Sequence, residues 1–439
     1  MPFLSKSRGF KNLLRRMLTV VSRFGISANR FERLLKRFHA VTQNLGCVPT
    51  FPITAVILKR HPKIIRELSR DGVDFAVHGY IHTDYGMMSL REQAEHFQKA
   101  INVFNMCEVP FTGFRAPFLR TNSETPAALS HLEFAYDSSQ AVHWDVLDKA
   151  GEANIPRSEY DRLLEFYNSR PSGDCLVLPR SSDGIIEIPV SIPDDEAMVE
   201  RMAITDVRKI TAIWKAILEE TYSGGELFTI QLHPERIAFC QQALADIIQQ
   251  AKQLNPRVWV ATLKEIAAWW QEKERFIFTI KYQGDGKYQI KADCSARATI
   301  LLKNCKTGVR AYDWFDGYQS ITARDFILES PVRPVIGVSP DTSPDAVSFL
   351  RSDGFVIESN EKPDGYGIYL DNLTHFDEAL KKPLLQKIEQ SGAPVLRYWR
   401  WPDQVRSVIS VTGDIDSVTL GDFILRIFEN WRQSRRQEL

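Results

Sequence analysis

Two histidines four residues apart, His78 and His82, follow directly on the apolar run Phe75-Ala76-Val77. A pair of imidazoles can take two corners of a tetrahedral first-row metal site, leaving room for a carboxylate and a water. By itself H-x-x-x-H is also what two unrelated surface histidines look like, so the spacing opens the question without closing it. A second chemical element lies far downstream, where Thr412-Gly413-Asp414-Ile415-Asp416-Ser417 ends the apolar run Val408-Ile409-Ser410-Val411 in two carboxylates. Read in isolation, that Asp-x-Asp is a solvated or calcium-like turn. Three further pieces combine polar chemistry with strand-like flanks: Gly113-Phe114-Arg115-Ala116-Pro117-Phe118, Tyr136-Asp137-Ser138-Ser139, and Ile230-Gln231-Leu232-His233-Pro234.

The elements that must position these residues alternate in type. After two amphipathic helices within residues 10–45, strand-like Val48 to Ile57 leads to a helix through Ile64, Ile65 and Leu68, then the strand Val73 to Val77 and a helix from Leu90 to Phe104. The rhythm resumes with Cys175 to Leu178, Ile185 to Val190, a helix from Asp206 to Glu220, the strand Leu227 to Leu232, a helix from Arg236 to Leu254, Val258 to Val260 and the helix Leu263 to Glu272. Such β-α-β-α order predicts a parallel sheet or barrel, in which chemistry gathers at the C-terminal ends of the strands. After Glu274 short alternating strands, Phe276 to Ile280, Tyr288 to Ile290 and Ala298 to Leu302, predict a β-rich module. The strand Val335 to Val338, the helix Ala346 to Leu350 and the strand Gly367 to Leu370 predict a small α/β module. The expected division is 1–274, 275–333, 334–400 and 401–439, the last piece being a strand followed by a helix.

Composition excludes more than it selects. At 439 residues and 44% hydrophobic content the chain can bury a large core, and 55 basic residues balance 55 acidic ones. Nothing in that balance suggests a nucleic-acid partner, although the first forty residues are locally basic and read as a solvated helix face before a patch for an acidic membrane. The cysteines at 47, 107, 175, 240, 294 and 305 form no C-x-x-C pair, which speaks against a thiolate zinc site or a disulfide framework. No secretory signal and no membrane-spanning run is legible, so a cytoplasmic protein is expected. Oligomeric state is not legible.

Taken in order, the four motifs make the stretch from about Thr50 to Trp270 resemble the polysaccharide deacetylases, the NodB homology or carbohydrate esterase family four group. The resemblance implies an irregular (β/α) barrel and a divalent metal, usually zinc, held by His78 and His82. It implies an orienting arginine at Arg115 and a late catalytic histidine at His233; Ile186 to Val190 resembles a later packing strand. The family's opening strand, which ends in two aspartates, is missing: at its place stands Thr19-Val20-Val21-Ser22-Arg23-Phe24-Gly25, without a carboxylate. The C-terminal Asp414-Ile415-Asp416 resembles a D-x-D variant of that motif. If its strand returns to fill the vacant barrel position, as in a circular permutation, Asp416 becomes the third metal ligand and Asp414 the catalytic base. The implied activity is removal of an N-acyl group, acetyl first, from an amino sugar in a polysaccharide or glycan precursor. The competing expectation is a catalytically inactive deacetylase-like carbohydrate-binding or scaffold protein, with residues 275–400 as its interaction module.

Other residues carry less. Asp84 and Tyr85 could line a sugar cleft, and the Trp144 face suits sugar C–H surfaces beside His143, yet packing explains each as well. Arg115 could serve an ordinary salt bridge, and His233 a loop anchor. His39, His61, His96, His131 and His375 are read as structural. Ser138 and Ser139 lack nucleophile-elbow glycines, which disfavours a serine hydrolase.

Overall fold

The computed structural model describes residues 27–148 and 157–437, so the expected first helix and the Thr19–Gly25 segment lie outside the described residues. Several short segments are buried along their whole length, among them Thr50–Ile53, Leu227–Leu232 and Ser407–Gly413. Strands buried on both faces need other elements on each side, which is the situation of a parallel sheet covered by helices. They join a curled, 12-stranded sheet that forms part of a barrel. Its spatial order is Arg170–Pro171, Ala141–His143, Val190–Ile192, Leu227–Leu232, Ser407–Gly413, Thr50–Ile53, Asp74–Val77, Gly113–Phe114, Tyr136–Asp137, Ile185–Glu187 and Arg180–Ser182. Val258–Val260 pairs off this path with Ser407–Gly413. Every pairing is parallel except the closing hairpin of Arg180–Ser182 on Ile185–Glu187.

The strand that should open the barrel comes from the C-terminus. Leu227 through Leu232 run in register with Val408 through Gly413. On the other side Val258–Val260 pairs with the first residues of that strand, and Thr50 with Thr412 near its end. A parallel bridge of Ile53 with Ile415 extends the contact past the strand. Val408, Ile409, Val411 and Ile415 are fully buried. Each such side chain is worth about 1.5–3 kcal/mol in apolar burial, so the seat is energetically decisive for this segment.

Helices cover the sheet where periodicity places them. Ala28–Asn44 packs Phe31, Leu35 and Phe38 inward, and Leu90–Met106 starts from a capping box in which Ser89 and Glu92 satisfy each other's backbone N–H groups. Val207–Gly224 ends on Gly225 in the left-handed conformation, and Ile237–Gln253 buries Cys240, Leu244, Ile247 and Ile248. Three expected runs differ. Val48 to Ile57 yields only the strand Thr50–Ile53, after which the chain turns at Thr54 into the helix Ala55–Arg60. Cys175 to Leu178 is buried except for the half-buried Leu176 and does not become a strand, and Ile185 to Val190 divides into Ile185–Glu187 and the separate strand Val190–Ile192.

The remaining sheets gather at the end of the barrel where strands begin. One holds Ile277–Gly284, Lys287–Asp293, Asp325–Glu329 and Lys306–Thr307; a second holds Ala311–Asp313, Tyr318–Ile321, Ile300–Lys303 and Val395–Tyr398. The third is the parallel trio Ile357–Ser359, Arg333–Val338 and Tyr366–Leu370. Val395–Tyr398 thus lends a strand from the α/β segment to the β-rich segment, which binds the two into one body. From it the chain passes through anchors on the barrel: Arg400 Nη1 and Trp401 Nε1 donate to the carbonyls of Gly224 and Gly225, each at 2.8 Å, and Trp269 Nε1 donates to that of Arg400 at 2.8 Å. These contacts lie just before Leu227 and Ser407, so the accessory sheets hold the base of the barrel and deliver the last strand from that side. The opposite end, where the strands finish, is left to the loops.

Candidate metal centre

His78 and His82 leave the end of Asp74–Val77 in a tight loop. Gly79 between them has φ +81°, and a Cβ there would stand 2.8 Å from the Tyr85 hydroxyl, so only glycine fits this turn. The C-terminal strand ends beside it. His78 Nε2 lies 3.4 Å from Asp416 Oδ1 and His82 Nε2 lies 3.1 Å from Asp416 Oδ2. The ligand atoms of these three residues all fall within 4.8 Å of one another.

The donor set can be tested on its own hydrogen bonds. His78 Nδ1 is 2.8 Å from the carbonyl oxygen of Arg115. A carbonyl only accepts, so Nδ1 carries the proton and, in the neutral ring, Nε2 presents a lone pair. That lone pair faces a carboxylate oxygen, which is also an acceptor, and Asp416 Oδ1 has no hydrogen-bond partner in its buried position. Two facing acceptors are stable only with a cation or a proton between them. A separation of 3.1–3.4 Å is what two ligands of one ion keep at bond lengths of about 2.0–2.1 Å. The residues therefore fit a divalent metal.

Charge around the triad is arranged in the same sense. Burial, with Arg426 behind it, pushes the His82 imidazole down to about 4 against the opposing pull of Asp416, so the ring is neutral and free to ligate at neutral pH. Burial would raise Asp416, but His82, His78 and Arg426 outweigh it and hold the carboxyl well below the usual range. Arg426 Nη1 is 3.1 Å from Asp416 Oδ2. The Phe118 ring meets His82 edge to face at 4.4 Å, held there by a backbone with φ +61°, an uncommon conformation for a bulky residue.

Asp414 points to the other neighbours. Arg115, fully buried, donates Nη1 to Asp414 Oδ1 at 2.8 Å and to Thr412 Oγ1 at 2.7 Å. Its Nε and Nη2 donate to the Ser138 carbonyl and hydroxyl, each at 2.9 Å. Gln231 Nε2 donates to Asp414 Oδ2 at 3.2 Å. His233 follows Leu232, the register partner of Gly413, and so stands next to Asp414 along the sheet.

His233 has a partner that sequence reading missed. Asp195 Oδ1 is 2.6 Å from His233 Nδ1, and Asp195 Oδ2 accepts from the His233 backbone N–H at 2.7 Å. Burial disfavours the imidazolium, yet Asp195 more than offsets this and raises His233 to about 10. Asp194 beside it, buried and facing the charge of Asp195, is pushed up to about 7. The signal was present: Val190-Ser191-Ile192-Pro193-Asp194-Asp195 is an apolar strand ending in two carboxylates, the same pattern sought at the barrel's opening.

The weaker candidates sort by contact. Tyr85 is fully buried among Phe97 and Phe114, Asp84 pairs with Arg120 at 2.8 Å, Trp144 is buried, and His143 Nδ1 meets the Ser169 hydroxyl at 3.0 Å. Ser139 accepts from the Ala116 N–H at 2.8 Å and Ser138 holds Arg115, so both serve the loop. His61, one of the histidines read as structural, meets Asp422 at 2.9 Å. A cavity of about 270 Å³ opens among these loops, lined by Arg120, Ser139, Gln140, Glu165, Tyr167 and Asn168.

Comparison with known proteins finds the following similarities. Residues 32–136 match the family model for polysaccharide deacetylase. A peptidoglycan deacetylase-like protein of Gibberella zeae is 22% identical over 267 residues, spanning 55% of this chain and 76% of that protein. Among solved structures, a polysaccharide deacetylase structure from Mycobacterium smegmatis aligns at 20% identity and TM-score 0.41 over 61% of this chain and 84% of that one. One from Pseudomonas aeruginosa PAO1 aligns at 20% identity and TM-score 0.43 over 56% and 75%. The fold itself is a curled, mainly parallel sheet covered by helices. The family match over residues 32–136 and the deacetylase-like relative make this chain similar to the polysaccharide deacetylases.

Proposed function

We propose that the protein is a metal-dependent hydrolase that removes an N-acyl group, acetyl first, from an amino sugar of a glycan or glycan precursor. The observation that carries this reading is the His78 lone pair facing an unpartnered Asp416 oxygen, with His82 completing the set. A divalent ion, with zinc the ion we propose, bound by His78, His82 and Asp416 would polarise an amide carbonyl and lower the pKa of a bound water.

The chain's own residues supply the rest. Asp414 is the base that takes the water's proton, and the Arg115 guanidinium and Gln231 amide fix its two oxygens in place. His233 is a cation at neutral pH because Asp195 holds its Nδ1 proton, so Nε2 bears the proton that the departing sugar nitrogen needs. The polar cavity beside Phe118 offers amide, carboxylate, guanidinium and hydroxyl groups of the kind that read sugar hydroxyls. We further propose a cytoplasmic enzyme acting on a precursor before export, a reading consistent with the free cysteines among the described residues.

Metal analysis of the purified wild type beside His78→Ala and Asp416→Ala, with acetate release from an N-acetylated amino-sugar oligomer measured in parallel, tests the reading. About one equivalent in the wild type and near none in the variants, with activity following metal, is expected. Equal metal content in all three would sink the metal site, and metal without any acetate release would favour a binding protein.

A further inference from the structure

The turn that follows His233 brings a second charge to the same partner. Pro234–Arg236 is one tight turn, closed by the Arg236 N–H donating to the His233 carbonyl at 2.8 Å. Arg236 is buried, and its Nε and Nη2 donate to a single oxygen of Glu200 at 3.0 and 2.7 Å. The remaining nitrogen, Nη1, lies 3.6 Å from Asp195 Oδ1 and 3.8 Å from Glu235 Oε1, with no hydrogen-bond partner among the described residues. Asp195 Oδ1 is also the oxygen that accepts from His233 Nδ1 at 2.6 Å. One carboxylate oxygen thus faces an imidazole and a guanidinium, and it bonds the imidazole.

A buried donor left without an acceptor is costly, and the charges around it give a reason for its place. A carboxylate alone in a buried setting would hold an imidazolium so firmly that the ring would be a poor acid. When His233 passes its Nε2 proton to the departing nitrogen, the electron pair of the breaking C–N bond takes that proton. The ring becomes neutral with its Nδ1–H still on Asp195, and the carboxylate stays charged. A fixed guanidinium favours that later state and opposes the imidazolium before it. Burial and Arg236 both weaken the ring's hold on its proton, against Asp195 and Glu235. The other neighbours are acidic or neutral: Asp194 adjoins Asp195, Glu196 lies 4.0 Å from Arg236, and burial pushes the Tyr160 and Tyr167 phenols and the Cys240 thiol up. Along the sheet Asp414 is engaged by Arg115 and Gln231. Ala28–Asn44, packed on the turn, buries uncharged residues and sends Arg37 to Gln241 at 2.7 Å.

We propose that Arg236 is a positioning residue of the proton donor: standing against the Asp195 oxygen that His233 uses, it limits how firmly that carboxylate holds the imidazolium and so keeps the ring an effective acid. Glu200 has its own part in this. By fixing two nitrogens of the guanidinium, it holds Nη1 near enough to act through its charge and too far to take Oδ1 from the imidazole. The role rests on His233 as the acid of the proposed hydrolase, but the titration of the ring is read without turnover, so the two can fail separately.

The experiment is a nuclear magnetic resonance titration of the full chain carrying labelled histidine, followed through the region near pH 10 where His233 loses its proton, with its signal assigned by its loss in His233→Gln. Arg236→Gln should bind the ring proton about tenfold more tightly than the wild type, the usual effect of a charge a few ångströms away. At a pH where the wild-type ring is half charged, the ring of this variant should stay almost wholly charged. Acetate release measured in parallel should lose kcat with KM unchanged, the mark of an interaction that acts on the transition state alone. Arg236→Lys, which keeps the charge without the fork, should fall between the two. Glu200→Gln, which frees the guanidinium to close on Asp195, should move the titration the opposite way. Circular dichroism reports folding, and if Arg236→Gln does not fold, the direction of the Glu200→Gln shift decides. A His233 titration that stays put in the folded variants, or moves against these directions, overturns the proposal even where acetate is released. Titrations that move as expected in a protein releasing no acetate uphold the coupling of Arg236 to His233 and sink the hydrolase reading.

Discussion

Arg115 shows how one side chain can carry the logic of a site. Its guanidinium spans Asp414, Thr412 and both oxygens of Ser138, and its carbonyl fixes the tautomer of His78. Lysine has one charged nitrogen and no planar fork, so it could not make these contacts together. His233 is set differently, by a single buried carboxylate. Its folded pKa, about 10, lies above the ordinary value near 6.5, so the Asp195 contact stabilises the fold fully below about pH 6.5 and loses that contribution as pH rises through about 10. Asp195→Asn should lower the His233 pKa and flatten the decline in stability between pH 7 and 10. Urea midpoints at pH 6, 8 and 10 check this, and parallel declines in wild type and variant would show that the pair is not what charges His233. The histidine itself was legible from its strand-end motif. Asp195 also stood in a strand-end motif, but its pairing with a histidine 38 residues away leaves no local spacing to read.

At the level of elements, the strand Ser407–Gly413 has neighbours on both edges that sequence order alone would never place beside it. The Asp-x-Asp pattern and the missing opening strand made the returned strand readable as a possibility, since each incomplete half asked for the other. What the sequence did not reveal was the delivery: Val395–Tyr398 pairs inside the accessory sheets, and the tryptophans and arginine that follow pin the chain to Gly224 and Gly225. Those contacts depend on three-dimensional packing that no periodicity encodes. Gly413 marks how closely the strand fits. A Cβ there would stand 2.5 Å from the Phe51 ring and 3.2 Å from Phe38, and neither fully buried ring has room to withdraw. Gly413→Ala should therefore cost about 1–3 kcal/mol, the usual penalty for overpacking a filled core. Gly173→Ala, where a Cβ would meet nothing within 4 Å, is the control and should change little. Equal urea midpoints for the two variants would mean that the strand is seated more loosely than its contacts indicate.

Over the whole molecule, the candidate metal centre joins parts of the chain that share no local connection. His78 and His82 follow the strand Asp74–Val77 and Asp416 follows Ser407–Gly413, so an ion held by all three would tie the C-terminal segment to the body of the sheet. Without an ion, the cation that balances the triad among the described residues is Arg426, whose exposed helix gives it a weaker and more screened hold. An ion that binds the folded chain and not the unfolded one stabilises by mass action, about 2.7 kcal/mol at a hundredfold excess over its dissociation constant. Zinc added to chelator-treated protein should therefore raise the denaturation midpoint in a concentration-dependent way. Asp416→Ala should abolish that rise, because a two-histidine remnant holds zinc poorly, and Asp414→Asn should keep most of it, because Asp414 faces Arg115 and Gln231 instead of the histidines. The contrast between two aspartates two residues apart is the sharpest form of the test. If both substitutions remove the zinc response, or neither does, the division of labour between them is wrong and the strand end acts as a single acidic cluster.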